Sequence, residues 1–460
     1  MSKKLFGTDG IRGIANQRLT PELAFQIGQS AGRWIVDQGL PRRAVLGRDT
    51  RLSGTMLGAA LASGFNSAGV DTTVLGVCPT GGVSWIARTQ GYSLGAVISA
   101  SHNPAPDNGI KLISASGAKI SDEAEAWIES QIGNEVWARP TGGDVGRINS
   151  DRSEIELYLD WLATLCPEGL EGIKVAVDCS HGAAYELGPE SLRRLGAEVH
   201  VIGAEPDGMN INEHVGATSP KTVEAFTKEI GAHIGVAYDG DADRAVFSDD
   251  QGRLINGDRM MAIWCAHWKK EGRLNPAVAV GTVMSNMGFE GYLKDNSIHL
   301  ERAKVGDKYV SQKLVELGGQ IGGEQSGHII FPSIGPTGDG LVTAIELLRC
   351  LKREGRTAAS FYGDFENWPQ VLINLEVTHK DGWEENPVIS AVIEDAELDL
   401  RDKGRINVRA SGTQPILRVM VESSDLALRD RLANHVSGAI LTELGGRIYS
   451  EVDLTYDLGD

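Results

Sequence analysis

The sequence predicts an α/β protein: three α/β domains of similar topology with mixed sheets, then a smaller C-terminal α+β domain. Three observations predict it. Apolar strand-like runs alternate with segments of helical period, and this order recurs three times. At 460 residues the chain is too long for one typical core and suggests roughly three or four. After Trp368-Pro369 the pattern changes to several strands and a covering helix.

The elements follow in order. Thr20-Pro21-Glu22 starts a helix, with Thr as cap and Pro at the first helical position, and Leu23, Ile27, Trp34 and Ile35 fall on one face. Ala44 to Leu46 reads as a strand ending in GRDTR, Gly47 to Arg51. A helix through Met56 to Ala68, a strand at Thr72 to Leu75 and an apolar strand at Leu94 to Ile98 come next. The strand–helix–strand order recurs at Lys174 to Val177, Glu190 to Leu195 and Glu198 to Ile202, and again from Ala277 to Val280 onward. Boundaries are expected near the glycine-rich stretch Thr141 to Gly146, the turn Asp249 to Gly252 and the Trp368-Pro369 step. They give domains 1–150, 151–253, 254–368 and 369–460. In the last, Val371 to Val377, Arg405 to Val408 and Leu417 to Glu422 read as strands and Leu426 to Leu441 as the helix.

Composition narrows the function classes. A net charge of −18, from 44 basic and 62 acidic residues, argues against a nucleic-acid or anionic-membrane binder. A phosphorylated small molecule stays open, because a cleft can be locally basic on an acidic protein. The 41% hydrophobic and 23% charged fractions are those of a soluble globular protein. The five cysteines are dispersed, with no CxxC pair, and read as reduced thiols of a cytoplasmic protein. The start, MSKKLFGTDG, has no apolar core of a secretory signal, and no apolar run reaches the ~18 residues of a membrane span. Glycine, 57 of 460 residues, exceeds the usual ~7% and gathers in the loops described next, where bare backbone can approach a ligand.

ISASHNP, Ile98 to Pro104, places Ser101 just past a strand's carboxyl end, where α/β proteins put their chemistry. VAYDGDADR, Val236 to Arg244, runs from a strand into Asp239, Asp241 and Asp243. Three carboxylates that close repel unless a cation lies between them, and hard oxygen ligands on a tight loop suit Mg²⁺. Together the two segments read as a phosphoryl-transfer site with Ser101 as carrier. An alternative makes Asp239 the phosphate acceptor. An EF-hand reading fits poorly: the sixth position is Arg244 rather than Gly and the twelfth Asp250 rather than Glu. His102 and Asn103 are expected to bind phosphate or shape the loop, since adjacent side chains on an extended loop point apart. Lys111, in DNGIK, is read as a general base of lowered pKa or as a neutraliser of phosphate charge. Arg244 is placed to bind a transferring phosphoryl oxygen. In GGEQSGH, Gly322 to His328, Glu324 and Ser326 can bracket sugar hydroxyls or an amine, and His328 can assist proton transfer. In RASGTQPILRVMVE, Arg409 to Glu422, the groups Arg409, Ser411, Gly412, Thr413 and Arg418 can converge on one phosphate. GTDGIRG, Gly7 to Gly13, offers Thr8 and Arg12 to the same cleft.

These five motifs, in this order and spacing, resemble the α-D-phosphohexomutases over residues 4 to 450. GGEQSGH, GTVMSN (Gly281 to Asn286), RAKVGDKYV (Arg302 to Val310) and TGDG (Thr337 to Gly340) resemble the branch that acts on amino-sugar phosphates. The resemblance implies four domains around a central cleft, the last one mobile, and phosphoserine at Ser101. It implies Mg²⁺ held by Asp239, Asp241, Asp243 and the serine's phosphate. It also implies sugar contacts from Glu324 and Ser326, and remote-phosphate binding by Arg409, Ser411, Gly412, Thr413 and Arg418. A hexosamine 1,6-bisphosphate is the implied intermediate and activator, and similar bacterial enzymes suggest a homodimer. Two departures stand out: Ala242 replaces a frequent Gly, expected to be harmless because a methyl adds little bulk, and Ala410 and Gln414 interrupt the frequent RPSGTEP.

Overall fold

A computed structural model describes residues 5–7, 9–134, 136–411 and 415–458. Among them the strands form four sheets, met one after another along the chain.

The first sheet holds β1 (Ile11–Ile14), β2 (Arg43–Arg48), β3 (Asp71–Val77), β4 (Leu94–Ile98), β5 (Asp107–Ser114) and β6 (Ile148–Ser150), in the order β1-β5-β4-β2-β3-β6. β2, β3, β4 and β6 are parallel, whereas β5 runs antiparallel to both β4 and β1. The second sheet holds β7 (Lys174–Asp178), β8 (Glu198–Ile202), β9 (Ile234–Tyr238), β10 (Ala245–Asp249) and β11 (Leu254–Ile255), ordered β11-β10-β9-β7-β8. Its parallel half is β9-β7-β8. The third, β12 (Val278–Thr282), β13 (His299–Ala303), β14 (Gly322–Gly323) and β15 (Ile329–Ile330), is also mixed. The fourth is wholly antiparallel, ordered β17-β18-β16-β19 from β16 (Gln370–Val377), β17 (Gly404–Ala410), β18 (Ile416–Ser423) and β19 (Gly446–Asp453).

The predicted helix start is present: Thr20 caps helix Pro21–Asp37, its hydroxyl accepting from Leu23 N–H. This helix lies against helix Leu52–Ser67 with backbones almost touching. A Cβ on Gly28 would come 2.1 Å from Leu61 O, and one on Gly64 would come 2.2 Å from Phe25 O. The turn Asp249–Gly252, close to the expected boundary at 253/254, joins β10 to β11, the last strand of the second sheet in chain order. The fourth unit has an edge strand, β19, and a second helix, Pro387–Leu400, beyond the elements read from sequence.

The cores show how the parts are joined. One apolar core runs without a break from Val45 and Val97 under the first sheet, through Val177 and Phe247, to Trp264 and Leu347 in the third unit. The fourth sheet has its own core, built on Ile373, Leu417, Val436 and Ile440. All five cysteines are free and buried. Among the described residues no helix is long and apolar enough to cross a membrane.

Candidate active site

Ser101 lies three residues past β4 and is 1% exposed. Its backbone is left-handed, φ 51°, which costs a non-glycine residue about 1–2 kcal/mol. Arg51, itself fully buried, offsets that cost. It donates to the carbonyl oxygens of Ser101 (2.9 Å), Asn103 (2.7 Å) and Asp107 (3.0 Å), and its Nε donates to Asp49 (2.8 Å). Asp49 also accepts from Ser99 Oγ at 2.6 Å, and Ser99 Oγ accepts from Ser101 N–H at 2.9 Å. In the sequence GRDTR reads only as the end of a strand, although two arginines and an aspartate at a strand's carboxyl end are a signal of such support. The bent backbone also corrects the expectation for His102. Its Nδ1 stands 3.4 Å from Ser101 Oγ, because residue 101 is not extended.

The three aspartates sit on the loop between β9 and β10, so two strands flank it and the EF-hand alternative falls. Each offers an oxygen, and these lie within 4.8 Å of one another. Ser101 Oγ donates to Asp239 Oδ2 at 2.6 Å, which joins the two segments the sequence had paired. Burial, and then the charges of Asp243 and Asp241, raise the Asp239 pKa well above the usual carboxylate range. Asp241 Oδ1 and Asp243 Oδ1 are buried and make no hydrogen bond. Crowded, desolvated carboxylates with unused oxygens are what a hard divalent cation requires, so the group can hold a metal. Gly240 permits the approach: a Cβ there would meet Ser101 O at 2.5 Å. Ala242 is left-handed, φ 56°. The departure from Gly therefore carries a backbone cost that its small bulk does not reveal.

Lys111, on β5, reaches Asp241 at 2.9 Å, Asp9 at 2.9 Å and Asp243 at 3.3 Å. Burial favours the neutral amine, but these three carboxylates outweigh it and raise the pKa well above the ordinary lysine value. The direction is thus opposite to the lowered pKa expected of a general base, and a charged Lys111 offsets the aspartates' charge. Asp9 and Thr80, whose hydroxyl donates to Asp241 at 2.7 Å, were not singled out from sequence. Asp9 did lie inside a quoted motif.

Ser101, Lys111, Asp239 and Asp241 lie beneath the floor of a cleft of about 580 Å³. Residues of all four units line it. Arg12 comes from β1, His102 from the serine loop, and Asp243 and Arg244 from the aspartate loop. Glu324, Ser326 and His328 come from the third unit, and Arg409, Ser411 and Arg418 from the fourth. The structure thus brings together every described site residue that the sequence proposed. Gly412, Thr413 and Gln414, like Thr8, lie outside the described residues. Five arginines and five carboxylates line the cleft, so it is not uniformly basic.

Local partners set each group. Arg12 pairs with Asp9 and donates to Asn103 Oδ1 at 3.5 Å. Glu324 Oε1 accepts from Gly306 N–H at 2.8 Å. Arg409 and Arg418 are direct cross-strand partners on β17 and β18. Burial and the neighbouring Arg418 lower Arg409 to about 10, against an opposing pull from Glu324. Two adjacent, partly desolvated guanidiniums call for an anion. His328 Nδ1 lies 3.7 Å from Asp243. Burial disfavours its charge, but Asp243 pushes the pKa up to about 9. Gly338 N–H points at Nε2 from 3.2 Å, which needs a lone pair there and opposes a second proton. The ring therefore lies between the Asp243 carboxylate and the Gly338 N–H.

Comparison with known proteins fits this geometry. Four families described as phosphoglucomutase/phosphomannomutase match in sequence. The alpha/beta/alpha domains I, II and III match residues 3–139, 156–252 and 256–367, and the C-terminal domain matches 372–439. The chain belongs to the phosphoglucomutase/phosphomannomutase family. Its relatives include a protein named phosphoglucosamine mutase from Desulforamulus reducens, 46% identical over 92% of this chain and 96% of that one. Another of the same name, from Symbiobacterium thermophilum, is 45% identical over 96% and 99%. A phosphoglucomutase/phosphomannomutase family protein from Burkholderia thailandensis superposes with a TM-score of 0.82, 25% identity and 97% and 99% coverage. The N-acetylphosphoglucosamine mutase of Aspergillus fumigatus, solved with GlcNAc-6P and magnesium, shares the fold, with a TM-score of 0.66, 18% identity and 95% of each chain covered.

Proposed function

We propose that this chain is an intramolecular phosphotransferase that interconverts glucosamine 6-phosphate and glucosamine 1-phosphate, and so supplies UDP-N-acetylglucosamine synthesis. The observation that carries the reading is Ser101 Oγ, bonded at 2.6 Å to one member of a buried three-aspartate group at the base of a large cleft. The relatives' shared name supports the amino-sugar assignment.

In this mechanism Ser101 carries a phosphoryl group, primed by a hexosamine 1,6-bisphosphate. The sugar's free hydroxyl oxygen attacks phosphorus and the bond to Ser101 Oγ breaks. The bisphosphate turns end for end within the cleft, and its other phosphoryl group returns to Ser101. Each cycle loses and regains one hydroxyl proton, so the isomerisation is proton-neutral. Asp239, Asp241, Asp243 and an oxygen of the Ser101 phosphate would hold Mg²⁺, which when bound offsets charge on the transferring group. Lys111 keeps the aspartate group from accumulating uncompensated charge. Arg12, His102 and Arg244 face the reacting phosphoryl group, and His328 holds Asp243 in place. Glu324 and Ser326 grip the sugar, the carboxylate suiting its ammonium group. Arg409, Ser411, Gly412, Thr413 and Arg418, in the domain 369–460, hold the phosphate that is not reacting, which positions the other end. Closure of that domain keeps water, the competing acceptor, from the phosphoserine. A cytoplasmic setting and a homodimeric state belong to the same proposal.

The test compares kcat/KM for glucosamine, glucose and mannose 6-phosphates, with Mg²⁺ and a trace of the matching bisphosphate. A strong preference for glucosamine 6-phosphate is expected, with turnover lost in Ser101→Ala. Near-normal turnover in Ser101→Ala would overturn the mechanism, and a preference for glucose or mannose would overturn the substrate.

A further inference from the structure

We infer that Asn212 is a positioning residue for Ser101, the second jaw of a clamp that the second domain closes on the serine loop. The inference rests on Ser101 being the phosphoryl carrier.

Asn212 stands in the connection after β8, on the second sheet's side of the cleft, and its backbone N–H is tied to Ser180 O at 2.9 Å. Its side-chain amide reaches across to the first domain. Nδ2 donates to Ser101 O at 3.0 Å and to Asn103 O at 3.3 Å. These are two of the carbonyls that Arg51 grips from inside the first domain. A carbonyl oxygen has two lone pairs. At both residues one is met from within the first domain and the other from the second, so the peptide planes that follow Ser101 and Asn103 are fixed from two directions. The opposite amide orientation would set oxygen against oxygen, so Nδ2 faces the carbonyls while Oδ1 is left buried without a partner.

The same contact sets the register between the serine and the aspartates. Gly240, inside the aspartate loop, fits between them: a Cβ there would lie 2.5 Å from Ser101 O and 2.9 Å from Asn212 Nδ2. Gly240 O in turn accepts from Ala183 N–H at 2.8 Å. Asn212 thus links the serine loop to the body that carries Asp239. Arg51 alone satisfies the carbonyls but makes no such link. Ser101 in its left-handed conformation, φ 51°, is held against a carboxylate on another domain, and a small shift at residue 101 misaligns the reacting oxygen.

Asn212 is itself left-handed, φ 60°, so Asn212→Gly removes the amide while keeping a backbone that glycine readily adopts. Asn212→Asp keeps the shape but replaces the donor with an acceptor facing two acceptors. The experiment measures steady-state kcat and KM for glucosamine 6-phosphate, and single-turnover phosphoryl transfer from the phosphorylated enzyme. There the amplitude counts folded enzyme and the rate constant reads positioning. Asn212→Gly is expected to lower the single-turnover rate constant and kcat about tenfold, with KM within about twofold of wild type. Asn212→Asp is expected to lose at least as much. A rate constant unchanged in Asn212→Gly overturns the inference whatever the thermal stability. So does a loss confined to KM, or recovery of the rate in Asn212→Asp. Ser101→Ala in the same assay separates the two readings: if it turns over, the carrier assignment fails. If it is inactive while Asn212→Gly is normal, only the clamp fails.

Discussion

Asp258 has no exposed surface, and burial raises its carboxyl to about 6 although Asn286 N–H donates to it at 2.7 Å. A folded-state pKa above the unfolded value of about 3.9 means the folded protein holds this proton more tightly. The stabilising contribution is complete below pH ~4 and is lost as pH rises through ~6. An amide in its place has no proton to lose in this range, so wild type should lose about 1 kcal/mol of stability relative to Asp258→Asn between about pH 5 and pH 7, as read by urea unfolding. A difference that stayed flat or grew with pH would contradict this burial argument. Other single residues show where sequence stops informing. The meeting of Ser101 with Asp239, Asp241 and Asp243 was legible, because a serine past one strand and three alternating carboxylates past another both fall at the carboxyl ends of strands. The strain at Ser101 and Ala242 was not, because a positive φ at a non-glycine residue is imposed by partners distant in sequence. Lys111 shows the same limit: its pKa depends on three carboxylates contributed by two loops.

The close contact of helices Pro21–Asp37 and Leu52–Ser67 depends on glycines that face backbone. Gly64→Ala would gain about 1 kcal/mol of helix propensity. Forcing a methyl to 2.2 Å from Phe25 O separates the helices and costs more, so a net loss of about 2 kcal/mol in urea unfolding is expected. A stabilised variant would mean that the helices can part cheaply. Strands were the most legible elements where they are buried. β4 and β9 are buried at every position and read as continuous apolar runs. β19 escaped notice because GRIYSEVD is mostly exposed at the edge of its sheet, where neither apolar run nor alternation is demanded. The two-residue strands β14 and β15 have too few residues to carry any period.

Across the whole molecule, the first three units share a core and the fourth does not. Polar contacts do much of the joining. Arg405 on β17 pairs with buried Glu422 at 2.7 Å and donates to Val283 O and Ser285 O at 2.6 Å each, within the GTVMSN stretch. Glu422 also accepts from Met287 N–H at 2.6 Å, and Gln370 donates to Met284 O at 2.8 Å. Arg405→Ala strands Glu422 as a buried charge, a loss of about 3 kcal/mol or more. Because the contact is a domain joint, faster proteolysis near residues 366–370 is expected, and a KM that rises more than kcat falls. Equal loss in both would place the effect in the chemistry instead. The buried thiols add a practical consequence of this asymmetry. Burial raises all five, Cys166 to about 11 and Cys350 to about 12, so almost no thiolate exists at neutral pH for a reagent to attack. Each cysteine is therefore a silent alarm that sounds only when its surroundings open. None lies beyond Cys350. A thiol dye thus times the breathing of the fused body and is blind to the fourth sheet, so a sugar phosphate that slows labelling must be tightening the body itself.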